Sequence, residues 1–139
     1  MSDKKFKVGQ KVFARHAERY RTDQREDAVP GVVKTVGRQY VHVLLDNGLH
    51  PTKFQIHKPH AEVNAYGYSP DYYLHETEQE VKDFWAAKKG LLAINPKVSK
   101  LLSYFGQLEG EELSAFAFEV SRINDILDDL REAVPYAGQ

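Results

Sequence analysis

Pro30–His57, PGVVKTVGRQYVHVLLDNGLHPTKFQIH, decides the fold. Val32, Val33 and Val36 are β-branched and fit a pleated surface better than a helix. Tyr40–Leu45 alternates, so Val41, Val43 and Leu45 can face a core while Tyr40, His42 and Leu44 face the other way. Asp46-Asn47-Gly48 is a tight-turn signal, because Asn and Gly tolerate positive φ. Phe54 and Ile56 then alternate with Lys53, Gln55 and His57. Gly37-Arg38 supplies a second hairpin turn. Pro30-Gly31 marks the entry, since proline donates nothing to a ladder. Strands this short need closure or a cover, which implies a small bent barrel whose inward residues are Val33, Val36, Val41, Val43, Phe54 and Ile56.

Outward from this stretch, Lys7–Arg15 (KVGQKVFAR) reads as the preceding strand. Val8, Val12 and Ala14 are expected inside, with Lys11, Phe13 and Arg15 on the opposite face and a turn or bulge at Gly9-Gln10. His16–Val29 has no hydrophobic period and reads as a long strand-connecting loop of the kind that often carries function. After His57, Pro59, Gly67 and Pro70 break regular structure, while Tyr66, Tyr68, Tyr72, Tyr73 and His75 crowd an aromatic connector, with room for one short strand at Tyr72–Leu74. Thr77-Glu78-Gln79-Glu80 is a capping box. Val81, Phe84, Trp85 and Lys88 follow at helical spacing up to a stop at Gly90. Asn95-Pro96 then opens a second helix carrying Val98, Leu101, Leu102 and Phe105. Glu111-Glu112 opens a third, whose apolar residues Leu113, Phe116, Val120, Ile123, Leu127, Leu130 and Val134 recur at alternating spacings of three and four, ended by Pro135.

The resulting fold class is α+β: a small SH3-like β-barrel followed by a three-helix C-terminal part. The expected organisation is barrel over residues 1–60, aromatic connector over 61–76, and a helical part over 77–139 packed on the barrel. The barrel stretch resembles SH3-like barrels of the KOW or Tudor type through Val8–Arg15, Pro30-Gly31-Val32-Val33, Val36, Tyr40–Val43 and Asp46-Asn47-Gly48. That resemblance implies binding of RNA, DNA, methylated side chains or other proteins. In layout the whole chain is also similar to small proteins common in bacteriophage genomes. Their VGxKV strand, VGRxY hairpin, KFxI strand, Tyr/Ser-rich connector and terminal amphipathic helix correspond here to Val8–Val12, Val36–Tyr40, Lys53–Ile56, Tyr66–Tyr73 and Leu113–Leu130. This second resemblance implies a phage or mobile-element origin and an accessory role in binding a host or phage protein. It brings no activity with it.

Composition bounds the function. The 139 residues are 42% hydrophobic and 12% aromatic, enough for a core. There is no cysteine, which excludes disulfides and cysteine metal sites and suits a reducing compartment. MSDKKFKVGQ has no apolar run after its lysines and does not read as a signal peptide, and no segment approaches a membrane span. The expected location is cytoplasmic, that of the bacterial host if phage-encoded. The net charge of −1 conceals two halves. Residues 1–60 hold 12 Lys and Arg against 6 Asp and Glu, whereas residues 61–139 hold 7 against 14. Such a break suits two parts with different partners.

Two binding surfaces follow. Lys11, Arg15, Arg19, Arg21, Arg25, Lys34, Arg38 and Lys53 lie in the first half, interleaved with Phe13, Tyr20 and Tyr40. Cations neutralise phosphates and aromatic faces stack on bases, so Lys11, Arg15, Arg19, Tyr20, Arg21, Arg25, Lys34, Arg38 and Tyr40 form a candidate nucleic-acid surface. On the last helix, Glu119, Asp125, Asp128 and Asp129 form a candidate acidic face for a protein partner, such as a defence or nucleic-acid-processing enzyme that the protein would inhibit. The stripe Leu113, Phe116, Val120, Ile123, Leu127, Leu130 could instead form a homodimer seam. His42, His50, His57 and His60 do not share a helix face and show no acidic second shell, so no metal is expected. Ser114 and Ser121 lack a histidine nearby, and no phosphate-cradling glycine motif or nucleophile elbow occurs. The expectation is a non-enzymatic protein without a cofactor that binds a host or phage protein, or alternatively a nucleic acid through its basic half.

Overall fold

The computed structural model describes residues 5–17, 25–64 and 69–134. Five antiparallel strands form one sheet: β1 (Lys11–His16), β2 (Ala28–Val36), β3 (Tyr40–Leu45), β4 (Thr52–Gln55) and β5 (Tyr72–His75), in the spatial order β4-β3-β2-β1-β5. The two edges are linked through Ala61 and Glu62. Glu62 bridges to Phe54, Ala61 bridges to Tyr73, and the Gln55 and Glu62 amides donate to Ala61 O and Tyr72 O at 2.8 and 3.0 Å. The sheet thereby closes almost into a barrel, which removes the exposed edges that a short antiparallel sheet otherwise presents.

Period-two alternation sets which residues fill the barrel. Val12, Ala14, Val29, Val33, Val41, Val43, Leu45, Phe54 and Leu74 are buried together with Phe6. Val36 and Ile56 are only half-buried, being at the strand ends. Val8, expected inside, is 69% exposed, and Phe6 takes the place instead. Gly9 is the reason: its positive φ of +88° turns the chain between Val8 and β1, so strand parity does not reach back to Val8. The Phe6 ring meets the His60 ring edge-on at 5.0 Å.

Gly31 has no room for a side chain. A Cβ there would lie 2.9 Å from Leu45 Cδ2 and Val43 Cγ1 and 3.0 Å from Leu44 O. The strand does not begin at Pro30 but at Ala28, with Pro30 opposite Phe13 and its carbonyl accepting from the Asp46 amide at 2.9 Å. β1 likewise runs on to His16, so the loop expected over His16–Val29 is shorter at both ends.

The helical part contains two helices, not three. α1 runs from Glu78 to Tyr104, straight through Gly90 and Pro96, and α2 runs from Gly110 to Glu132. A short 3-10 turn, Phe105–Gln107, follows α1. Gly90 and Asn95-Pro96 are local signals to stop and restart, but the apolar period does not break at either. Val81, Phe84, Leu91, Ile94, Val98, Leu101 and Phe105 stay in one phase across both. The unbroken period is the pattern of one helix, and that helix runs through a glycine costing about 1 kcal/mol and a proline costing about 3 kcal/mol in a helix interior.

At the start of α1, the Glu80 amide donates to Thr77 Oγ1 at 3.1 Å, as a cap should. The Glu80 carboxylate is hydrogen bonded to His75 rather than to the Thr77 backbone. The chain divides into two compact units, Met1–Gly90 and Leu91–Gln139. The first holds the barrel and the start of α1, whose Val81 and Trp85 are buried. The second holds the end of α1 and the whole of α2, where no residue is buried. Among the described residues, no helix is long and apolar enough to cross a membrane.

Candidate nucleic-acid interface

The same alternation that fills the barrel sends the other side chains outward. Across β2, β3 and β4 the register sets Thr35 beside His42 and His42 beside Lys53, with Tyr40 beside Gln55 one step along. A register shift between Val33 and Thr35 leaves Lys34 unpaired in the ladder and exposed. Lys53 Nζ lies 4.6 Å from the centre of the Tyr40 ring, a cation–π distance. The Thr35 hydroxyl and His42 Nδ1 are hydrogen bonded at 2.9 Å. The β2–β3 hairpin is closed by the Gly37 amide donating to Tyr40 O at 2.8 Å. Beside it opens a concavity of about 430 Å³ lined by Thr35, Val36, Gly37, Arg38, Gln39, Tyr40 and His42.

None of the five strands contains an aspartate or glutamate, whereas they hold Lys11, Arg15, Lys34 and Lys53. Lys11 stands on β1 opposite Val32, its ammonium 5.7 Å from the Phe13 ring. The strands thus offer cations, an aromatic ring and neutral hydrogen-bonding groups, and no carboxylate of their own. That is the inventory required to hold phosphates and stack a base.

Three of the expected residues, Arg19, Tyr20 and Arg21, lie outside the described residues. Of the others, the structure brings Arg38 and Tyr40 together at the hairpin concavity, and Lys34 is exposed on β2 next to Thr35. Arg25 is exposed and faces Asp27 at 3.7 Å. Thr35 and His42 belong to the same surface but are absent from the residues expected from sequence. The available signal was strand parity, which puts His42 on the same side as Tyr40.

Arg15 is a correction. Its strand parity is outward, yet it is 6% exposed. Its guanidinium lies between two rings, 3.5 Å from the centre of Phe84 and 4.6 Å from that of Tyr73. Arg15 Nε donates to His75 Nε2 at 3.1 Å, and His75 Nδ1 in turn lies 3.1 Å from Glu80 Oε1. An arginine can only donate, so His75 Nε2 must be the accepting nitrogen and Nδ1–H the donor to Glu80. Burial, opposed by the Glu80 bond and helped by the Arg15 charge, pushes His75 below the usual histidine pKa, which keeps it neutral as this relay requires. Arg15 is therefore a fastening between β1, β5 and the start of α1, and it is not free to meet a phosphate.

On α2, Asp125, Asp128 and Asp129 are exposed, and Glu119 forms an ion pair with Arg122 at 3.1 Å. Among the described residues, no three histidine, aspartate or glutamate side chains cluster closely enough to hold a metal ion. No curated protein and no solved structure matches the chain. A family model described as the Phage ProQ C-terminal-like domain matches residues 1–133. With that match running from before the first strand to the end of the last helix, the chain belongs to the phage ProQ C-terminal-like domain family.

Proposed function

We propose that the protein is a non-enzymatic nucleic-acid-binding module that holds a single strand on the outer face of β2, β3 and β4. The observation that carries this reading is Lys53 over the Tyr40 ring beside a concavity lined by Arg38, Tyr40 and His42, with Lys34 exposed on β2, on strands that carry no carboxylate of their own. Lys34, Arg38 and Lys53 are the phosphate contacts. Tyr40 is the stacking platform, and its ring is already paired with a cation. Thr35, His42 and the hairpin backbone supply neutral donors and acceptors to a base edge in the concavity.

The test is fluorescence anisotropy with labelled single-stranded RNA and DNA at 50 and 200 mM salt. Three phosphate contacts give a log–log slope of about −2 for a single strand, or roughly a twenty-fold loss of affinity over that range. Lys53→Ala should lower the slope by about 0.7, and Tyr40→Ala should weaken binding by about tenfold through lost stacking. No binding at 50 mM salt, or binding indifferent to salt, would overturn the reading.

A second reading is favoured by α2, which carries seven acidic residues against two arginines and exposes them. In it the protein is a phage accessory protein that binds, and inhibits, a basic host or phage protein through Glu119, Asp125, Asp128 and Asp129. Capture of a partner from host lysate, lost on Asp125→Lys/Asp128→Lys and unaffected by Lys53→Ala, would support this reading over the first. Capture that survives the aspartate changes would refute it.

A further inference from the structure

We propose that the second unit is a self-association module: the helices of two copies pair, stripe against stripe, into a four-helix bundle. The inference is independent of nucleic-acid binding and concerns a different surface. It starts from the apolar surface that α1 and α2 leave uncovered. The end of α1 carries Leu91, Ile94, Val98 and Leu101, with Phe105 in the turn after it, at spacings of three and four, and α2 carries its stripe, ending at Val134 just beyond it, in the same rhythm. The two stripes meet where Phe105 stacks on Phe116, ring centres 5.9 Å apart and nearly parallel. Away from that point they remain open. Leu101 is 48% exposed, Ile123 50% and Leu130 53%. Two helices can cover each other only along one line, and an apolar face this wide needs a further layer.

The size of the uncovered face fits a stable dimer. Twelve stripe residues, each leaving roughly 50 Å² of apolar side chain in water, expose about 600 Å² per copy. Apolar atoms make up about 60% of an interface, so such a face corresponds to about 1,000 Å² per partner, above the roughly 800 Å² of a standard interface.

The charge pattern selects a second copy as the occupant. Beside its stripe the end of α1 carries Lys97 and no acid, whereas α2 carries Glu112 and Glu119 beside its own. A two-fold axis makes such a surface self-complementary, because each Lys97 can lie beside an acid that flanks the partner's α2 stripe and the contact is made twice. The copy also brings a stripe of identical length and spacing, which knobs-into-holes packing requires. A nucleic acid on this unit would meet the acidic helix instead.

The experiment is the solution mass of the full chain by light scattering and sedimentation between about 1 and 100 µM, the range of common dimer affinities. The expected mass is twice the 15.9 kDa of one chain. Ile123→Glu/Leu130→Glu places charges in the seam and should raise the dimer dissociation constant by about a hundredfold or more. The fluorescence of Trp85, the only tryptophan and a residue of the first unit, should stay native in that variant. Phe118→Glu lies on the opposite side of α2 from the stripe and should leave the dimer intact. A wild-type mass of one chain throughout overturns the proposal, leaving the face to a different protein. Dissociation by Phe118→Glu, or a dimer that survives Ile123→Glu/Leu130→Glu, overturns it as well.

Discussion

Arg15→Ala separates a structural cation from a binding one. The side chain is held between the rings of Phe84 and Tyr73 and bonded to His75 Nε2. Each ring contact is worth about 1–2 kcal/mol once desolvated, and the charged hydrogen bond about 1.5–3 kcal/mol. The loss also strands the accepting nitrogen of His75. Against this, truncation removes the need to desolvate a guanidinium, which offsets several kcal/mol. The expected net cost is about 3 kcal/mol, which for a chain of this size lowers Tm by about 10 °C. Arg15→Lys keeps the charge but loses the planar stack and the Nε–H donor, and should cost about half as much. Urea unfolding followed through buried Trp85, one residue from Phe84, reads both variants. In the same proteins the salt slope of nucleic-acid binding should not move. An Arg15→Ala protein of wild-type stability with a shallower salt slope would refute the reasoning, because Arg15 would then be a phosphate contact.

Two further outcomes follow from the core. Burial lowers the pKa of both His60 and His75 below the ordinary value of 6.5. The unfolded chain therefore binds more protons just below pH 6.5, so the stability these groups contribute is complete above that pH and is lost as the pH falls toward their folded values. Denaturation midpoints measured between pH 8 and pH 5 should drop in the lower part of the range, and less so in His75→Gln. Gly31→Ala should destabilise by about 1–3 kcal/mol through overpacking, since its Cβ meets Val43, Leu45 and a backbone oxygen. Gly90→Ala, where a Cβ meets nothing within 4 Å, should be neutral or stabilising by up to about 1 kcal/mol in the same unfolding assay.

The barrel was legible because its signals are redundant. In β3 the alternation of Tyr40–Leu45, the β-branched content and the Asp46-Asn47-Gly48 turn all specify the same strand and the same inward face. The helices were legible in type but not in number. Gly90 and Asn95-Pro96 are strong punctuation over two or three residues, whereas the apolar stripe from Val81 to Phe105 is a weaker preference repeated over seven turns. A local breaker has a fixed cost, while each added turn brings its own backbone hydrogen bonds, so a long helix can run through one. The phase of the stripe across Gly90 carried the answer: two separate helices have no reason to stay in register.

The site was legible only in part, for a different reason. Strand parity tells which side of a sheet a residue occupies, and it put Lys34, Tyr40 and Arg15 on the outer side alike. It does not tell what lies over that side. The start of α1 covers the β1–β5 end, bringing Phe84 to 3.5 Å from Arg15, so a cation that counts toward a basic surface by sequence is withdrawn from solvent. At the β2–β3–β4 end the ring of Tyr40 meets a lysine of its own sheet instead, and Lys34 and Arg38 remain exposed. A positive balance over 60 residues is therefore a poor measure of a binding surface. What decides it is which cations remain in water beside an aromatic ring, and by that criterion the hairpin around Thr35–His42 is the place for the proposed binding while the Arg15 end of the same sheet fastens the fold.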